Sequence, residues 1–168
     1  MLVELEDLRF PILGRPLVED RVDPSIPMSL SDAMATEPVW LRAWIQVLIG
    51  VHFAALLFIV GREGGRWRFR AEPAALLAAF IAAALVMGRL YDSVGYVRLL
   101  GLAHLLCWGP VWIWILLRRK EFEIRSIYGG YIHVYLLIAG ISLVIDALDV
   151  GRYVLGDGEL LGRWSEAG

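Results

Sequence analysis

Four charged side chains near the ends of apolar segments could form an ion pair. Two are carboxylates, Asp146 and Asp149, and two are guanidinium groups, Arg42 and Arg89. Arginine can bind a carboxylate through two parallel hydrogen bonds, which makes it the favoured partner in apolar surroundings. We therefore expect Asp146 or Asp149 to pair with Arg42 or Arg89. Such a pair could hold helices together or form part of a polar site.

The segment that carries the two aspartates has further polar side chains on the same helical face. At about 100° per residue, these side chains share a sector of about 60°. They are Tyr128, Tyr131, Tyr135, Ser142, Asp146, Asp149 and Tyr153. A hydroxyl or carboxylate that faces lipid is costly, so this polar stripe should face other helices or a wet cavity. We expect Tyr135 and Ser142 to line a route inward from the aspartates.

Three histidines, His52, His104 and His133, lie on three different apolar segments. Imidazoles on facing helices can ligate haem iron in the core of a bundle. At a rise of about 1.5 Å per residue, His52 and His133 differ in depth by about 4 Å, and His52 and His104 by about 8 Å. His133, however, lies opposite the polar stripe. We therefore expect no cofactor, with haem b held by His52 and His133 or His104 as the alternative.

Composition excludes several classes of protein. Hydrophobic residues make up 58% of the chain and charged residues 20%, which excludes intrinsic disorder and argues against an ordinary soluble domain. The formal net charge of −2 gives no basic surface for nucleic acid. The single cysteine, Cys107, excludes an intrachain disulfide and a metal site built from several cysteines. No enzyme motif can be assigned.

The charges leave four uncharged stretches, which are residues 43–61, 73–88, 99–117 and 126–145. A helix needs about 17–25 mainly apolar residues to cross a bilayer core. We therefore predict spans at about 38–61, 73–91, 96–117 and 127–150, the second of them with Arg89 extending to the interface. A soluble bundle is disfavoured because Ala74–Met87 has no polar side chain. The predicted fold is an all-α, integral membrane four-helix bundle.

The parts of the chain outside the spans differ in character. Residues 1–37 are rich in proline and acidic residues, which predicts an extended extra-membrane tail with a short helix near Ser29–Ala35. No positively charged start precedes an apolar run there, so a cleavable signal peptide is not expected. Residues 38–155 form the transmembrane domain and residues 156–168 a short C-terminal tail. Ala75, Ala79 and Ala83 form a small-residue face for helix packing.

Basic residues are concentrated in the first and third loops between spans. They are Arg62, Arg66, Arg68, Arg70, Arg118, Arg119, Lys120 and Arg125. The positive-inside rule places these loops in the cytoplasm and both termini outside. Trp67 and Phe69 alternate with the first-loop arginines, and we interpret the segment as a topology signal rather than a lipid-binding site. Arginine supplies all but one of the 16 basic residues, which suggests a bacterial inner membrane.

Several functions fit this architecture. The leading hypothesis is a non-enzymatic accessory or interaction subunit, or a small-ligand binder, with a polar cavity near the outer face. Its partners would be the lipid bilayer and other membrane subunits or further copies of itself. The alternatives are a haem-b electron carrier and a proton-coupled carrier or channel. The latter would act as an oligomer, because four helices are few for a monomeric transport path.

Overall fold

A computed structural model describes residues 29–156. In chain order the elements are α1 (Leu30–Ala35), α2 (Val39–Ala54, continued by a 3₁₀ turn at Ala55–Phe58), β1 (Val60–Glu63), β2 (Arg66–Phe69), α3 (Ala71–Val94), α4 (Gly101–Leu117, preceded by a 3₁₀ turn at Arg98–Leu100) and α5 (Ile127–Val154). Four of the helices are long and apolar enough to cross a membrane. The four predicted spans are confirmed as helices, with ends that shift by a few residues. Residues 1–28 of the predicted tail and residues 157–168 lie outside the described range.

Side-chain caps and prolines set the helix starts. Ser126 precedes α5, and its hydroxyl accepts a hydrogen bond from the Gly129 N–H at 2.9 Å. Ser29 does the same for α1 by accepting from the Asp32 N–H at 3.2 Å. Pro38 directly precedes α2 and Pro73 lies in the first turn of α3, where a missing N–H leaves no hydrogen bond unmade. The short helix α1 matches the one expected in the tail.

The first loop forms an antiparallel β-hairpin, which the predicted all-α fold did not include. Its register pairs Val60 with Phe69 and Arg62 with Trp67. The turn is Gly64-Gly65, with φ angles of 58° and 81°. Only glycine adopts such angles without strain, and they match the twist of a two-residue hairpin turn. The signal was present in the sequence as a glycine pair flanked by alternating arginine and aromatic residues.

The bundle has two buried clusters, one toward each end. We call the end with β1, β2 and residues 118–126 the hairpin end, and the end with α1 and residues 95–97 the terminus end. Near the hairpin end the core contains Leu76, Ile115, Ile132 and Tyr135. Toward the terminus end the core contains Leu48, Ala79, Ala83, Trp108 and Leu143. The small-residue face of α3 therefore packs inside this chain.

Large apolar side chains are exposed on the outside of the bundle. Large exposed side chains on the four long helices include Leu57, Leu85, Leu106, Ile113, Leu137, Val144 and Leu148. Leu57 keeps 78% of its surface exposed and Leu85 keeps 68%. Soluble monomers rarely expose continuous apolar surface of this extent. The architecture is consistent with a multi-pass membrane protein.

Candidate functional site

At the terminus end the two aspartates have different partners from those expected. Asp146 Oδ2 lies 3.0 Å from Nδ1 of His104, with both side chains less than one-fifth exposed. Asp149 accepts a hydrogen bond from Arg98 at 3.0 Å. Arg42 and Arg89 are exposed, and within residues 29–156 neither forms an ion pair with an aspartate. The carboxylates are therefore held by the 3₁₀ turn before α4 and by α4 itself, not by α2 or α3.

A close approach of α4 and α5 explains this pairing. A Cβ atom on Gly101 would lie 2.9 Å from Oδ1 of Asp146 and 3.2 Å from its Cα. Glycine at the first position of α4 thus lets the two helices meet at this level. Further along the same interface, the Trp112 indole donates to the Leu136 carbonyl at 2.8 Å and lies against Gly140. The two helices are therefore antiparallel neighbours over most of their length.

Aromatic stacking links the pair to the centre of the bundle. The His104 ring stacks on Trp108 at 4.1 Å between centroids, and the His52 ring lies 4.4 Å from the same indole. His52 is fully buried, and its Nδ1–H donates to the Leu48 carbonyl at 2.8 Å. Its ring also contacts Phe80 at 5.0 Å and Tyr135 at 5.5 Å. His52 and His104 thus share one aromatic neighbour.

The third histidine, His133, lies outside the aromatic contacts that join His52 and His104. His133 is half-buried, and its Nδ1–H donates to the Gly129 carbonyl at 2.8 Å. The described residues show no ring contact between His133 and either other histidine. Aromatic rings from three helices surround the His52 imidazole. Nor does the described part of the chain hold a cluster of three metal-ligating side chains.

The polar stripe of α5 turns toward the other helices, as the pattern predicts. Tyr135 is fully buried and Ser142 is 6% exposed. The Tyr131 hydroxyl donates to the Val51 carbonyl of α2 at 3.1 Å, and the Tyr128 hydroxyl donates to Glu72 at 3.2 Å. The stripe therefore serves mainly to dock α5. The expected route inward along Tyr135 and Ser142 does not form part of the cavity described next.

A cavity of about 350 Å³ opens at the terminus end beside the Asp146–His104 pair. Its wall is mostly apolar and includes Leu30, Met34, Leu41, Ile45, Phe80 and Met87. Polar groups come from Tyr96, His104 and Asp146, and Trp108 also contributes. The size lies within the range of about 300–1,000 Å³ that is typical of small-molecule sites. A mainly apolar wall with a few converging polar groups is the usual composition of such a site.

Helix α1 and the segment between α3 and α4 form the rim of this cavity. Leu30 and Met34 of α1 line it. Tyr96, in the connection between α3 and α4, also lines it. Burial raises the pKa of Tyr96 above its ordinary value, and the nearby Glu37 carboxylate raises it further. Tyr96 therefore stays a neutral hydrogen-bonding group at physiological pH.

A second cleft, of about 930 Å³, lies at the hairpin end and was not anticipated. Its charged centre is Glu72, which accepts from Arg118 at 2.8 Å and from Tyr128 at 3.2 Å. Arg118 also binds Glu121 at 2.7 Å. The contact with Glu121 raises the pKa of Arg118 and lowers that of Glu121, while Glu72 adds to the shift at Arg118. Glu72 is a residue of this cleft that the sequence patterns did not identify.

The partners Arg98 and His104 were also missed, although a signal for Arg98 exists. Helices that follow each other across a short connection usually pack side by side. Counting equal numbers of residues back from Leu117 and forward from Ile127 places Arg98 at the depth of Asp146, within one turn of Asp149. The same count places His104 at the depth of Gly140, so it does not identify His104 as the partner of Asp146. Arg42 and Arg89 also lie at the terminus end, but on α2 and α3, which do not directly precede α5 in the chain.

Comparison with protein-family models, curated proteins and solved structures finds no match to this chain.

Proposed function

We propose that this chain is a multi-pass inner-membrane protein that binds a small amphiphilic molecule in the cavity at the terminus end. The observation that carries the proposal is the composition of the cavity. An apolar wall from α1, α2 and α3 meets one carboxylate–imidazole pair, Asp146 and His104, on its far side. The apolar body of a ligand would lie along the wall, with its polar head at the pair.

The pair favours a head group that donates hydrogen bonds. Asp146 Oδ2 accepts from His104, while Oδ1 keeps acceptor capacity beside Gly101. A carboxylate in apolar surroundings attracts a cation or a hydroxyl and repels an anion. The ligand class that fits is therefore a neutral or cationic amphiphile with a hydroxyl or amine head. The role is binding, as an accessory subunit or ligand carrier, rather than catalysis.

The apolar exterior and the arginine distribution support the placement in the membrane. Exposed leucine, isoleucine and valine side chains cover the long helices. Basic residues at the hairpin end favour its location in the cytoplasm. The cavity would then open near the outer leaflet, with α1 over it. An amphiphile could reach it from that leaflet or from the outer side.

The proposal can be tested by thermal unfolding of the purified protein with three ligands that share one alkyl chain: decylamine, decanol and decanoate. We expect decylamine and decanol to raise the melting temperature and decanoate to have little effect. At about 100 times Kd, binding adds about 2.7 kcal/mol to stability. Asp146→Asn should remove the preference for decylamine over decanoate, and Ala84→Leu in the cavity wall should weaken binding of decylamine and decanol.

Asp149→Asn is the matched control, because Asp149 lies one turn away on α5 and does not line the cavity. That variant should keep the ligand preference of the wild type. Equal shifts for all three ligands, or shifts unchanged by Ala84→Leu, would count against the site. A haem absorption band that disappears in His52→Ala would instead favour the haem-b alternative.

A further inference from the structure

The β1–β2 hairpin presents an aromatic face away from the bundle. Side chains alternate between the two faces of a strand, so Trp67 and Phe69 share one face. The register adds Val60 and Arg62 from the paired strand to this face. Trp67 is 74% exposed, Phe69 69% and Val60 51%. We call these four residues the outward face of the hairpin.

The opposite face of the hairpin is directed toward the end of the bundle. Gly61 is buried, and the Arg70 guanidinium lies over it in the space that a side chain would fill. The same guanidinium stacks on the Tyr128 ring at 4.1 Å. Arg68 lines the cleft at the hairpin end, and Phe69 borders the same cleft while most of its surface stays exposed. This inner contact fixes which face of the hairpin looks outward.

The hairpin cannot move far from the ends of the spans. Only Ile59 separates the end of the 3₁₀ turn from β1, and only Arg70 separates β2 from α3. These two residues are joined by a hydrogen bond of 2.8 Å from the Arg70 N–H to the Ile59 carbonyl. With the long helices in a bilayer, the hairpin therefore lies at the level of the lipid head groups.

We propose that the outward face of the hairpin docks on a leaflet that contains anionic lipids. Tryptophan and phenylalanine favour the head-group region, where the ring is partly in hydrocarbon and partly in water. Arg62 shares the outward face with these rings. Arg66 and Arg68 leave β2 on its opposite face, but both are exposed at the level of the head groups, and their long side chains would reach the lipid phosphates there. The positive charge of the hairpin is complementary to an anionic leaflet. This inference rests on the proposed membrane insertion but not on the cavity.

Depth measurements in nanodiscs of phosphatidylcholine and phosphatidylglycerol test the docking. The only native cysteine is replaced in a Cys107→Ser background, and a fluorophore is attached at Trp67→Cys. Lipids with a spin label near the head group should quench this fluorophore strongly. The matched control is Lys120→Cys, an exposed position at the same end, where quenching should be weak. Leu137→Cys lies on an exposed apolar surface ten residues into α5, or about 15 Å from its start, and reports insertion separately through lipids with a spin label near the end of the acyl chain.

The charge contribution is tested by counting phosphatidylglycerol molecules that remain bound to the purified protein by mass spectrometry. The triple variant Arg62→Gln, Arg66→Gln, Arg68→Gln should lose most of this lipid, since each nearby basic residue contributes about fivefold to affinity. The control triple Arg119→Gln, Lys120→Gln, Arg125→Gln removes the same charge from the same end and should retain it.

Three results would overturn the docking. Quenching at position 67 no stronger than at position 120 would place the hairpin in water. Shielding of position 67 from both lipid and aqueous quenchers would indicate a protein partner instead. Equal lipid loss in the two triple variants would show that lipid retention depends on the total positive charge of this end and not on the hairpin. If the fluorophores at positions 67 and 137 are both unquenched, the proposed membrane insertion is wrong, and the docking proposal is wrong as well.

Discussion

In the Asp146–His104 pair, the Asp146 carboxylate of α5 lies beside the His104 imidazole of α4. Both side chains are less than one-fifth exposed, and their hydrogen bond is 3.0 Å long. An aspartate in this position needs a donor, because a carboxylate without partners is costly to bury. The histidine supplies the donor without requiring a permanent positive charge. That property distinguishes it from the arginine partners expected from the sequence.

A double-mutant cycle measures this interaction. Asp146→Asn and His104→Gln should each destabilise the protein, and the double variant should be less destabilised than the sum. Contacting residues typically show an interaction energy of about 0.5–3 kcal/mol. Chemical unfolding in detergent gives the free energies. The control cycle combines His104→Gln with Asp149→Asn, which has its own partner, and should be close to additive.

Gly101 is a second residue whose identity matters for this site. Gly101→Ala would place a Cβ within 3.2 Å of three Asp146 atoms, among them the backbone Cα. The helices must then separate, and overpacking of this kind costs about 1–3 kcal/mol. A fall in melting temperature would report it. Gly109→Ala on the same helix has open space around the new methyl and should be neutral or slightly stabilising.

At the scale of elements, α5 holds the bundle together through polar contacts at both ends. Tyr131 binds α2 and Tyr128 binds α3 through Glu72, while Asp146 and Asp149 bind the α4 side. The hydrophobic effect does not drive helices together inside a bilayer, so close packing and hydrogen bonds must do so. The polar stripe of α5 is therefore a docking surface for three different elements.

Arg118 joins α3 to the end of α4, and removing it should weaken the hairpin end. Arg118→Gln leaves the Glu72 carboxylate, 10% exposed, with Tyr128 as its remaining hydrogen-bond donor. The melting temperature should therefore fall, because the mostly buried carboxylate loses its charged hydrogen-bond donor. Thermal unfolding measures it. Arg119→Gln is the neighbouring exposed control, and an equal effect in both variants would contradict the role of Glu72.

At the scale of the whole molecule, the hairpin end and the terminus end differ in chemistry. The hairpin end carries exposed arginines and a polar cleft, whereas the terminus end carries a mainly apolar cavity. This asymmetry supports the proposed orientation of the bundle. The proposed ligand cavity and the proposed lipid-docking face lie at opposite ends, so each can be tested separately.

Topology reporters test the orientation. Fusions at Gly65 and Glu121 should report the cytoplasm, because both positions lie among the basic residues of the hairpin end. A fusion at Gly168 should report the outer side. The opposite pattern would move the cavity to the cytoplasmic side and the hairpin to the outer leaflet. If all three fusions report the same side of the membrane, the four-span arrangement is contradicted.

Much of the architecture could be predicted from the sequence because it depends on local properties. Uncharged stretches predict the four long helices, and proline and serine positions predict where they start. The inward direction of Tyr135 and Ser142 follows from helical periodicity, since polar groups on one face seek a partner away from lipid. The short helix after Ser29 also follows from a local capping signal. None of these features requires knowledge of which helices are neighbours.

The partners of the aspartates, the cavity and the role of Glu72 follow from contacts between distant parts of the chain. Depth along a helix can be estimated from residue number, but rotation and neighbour choice depend on packing. Gly101 lets α4 approach Asp146 closely, and this selects His104 rather than Arg42 or Arg89. The cavity forms because α1 folds over a gap between three other helices. Such a gap depends on all the surrounding side chains at once, so no single segment predicts it.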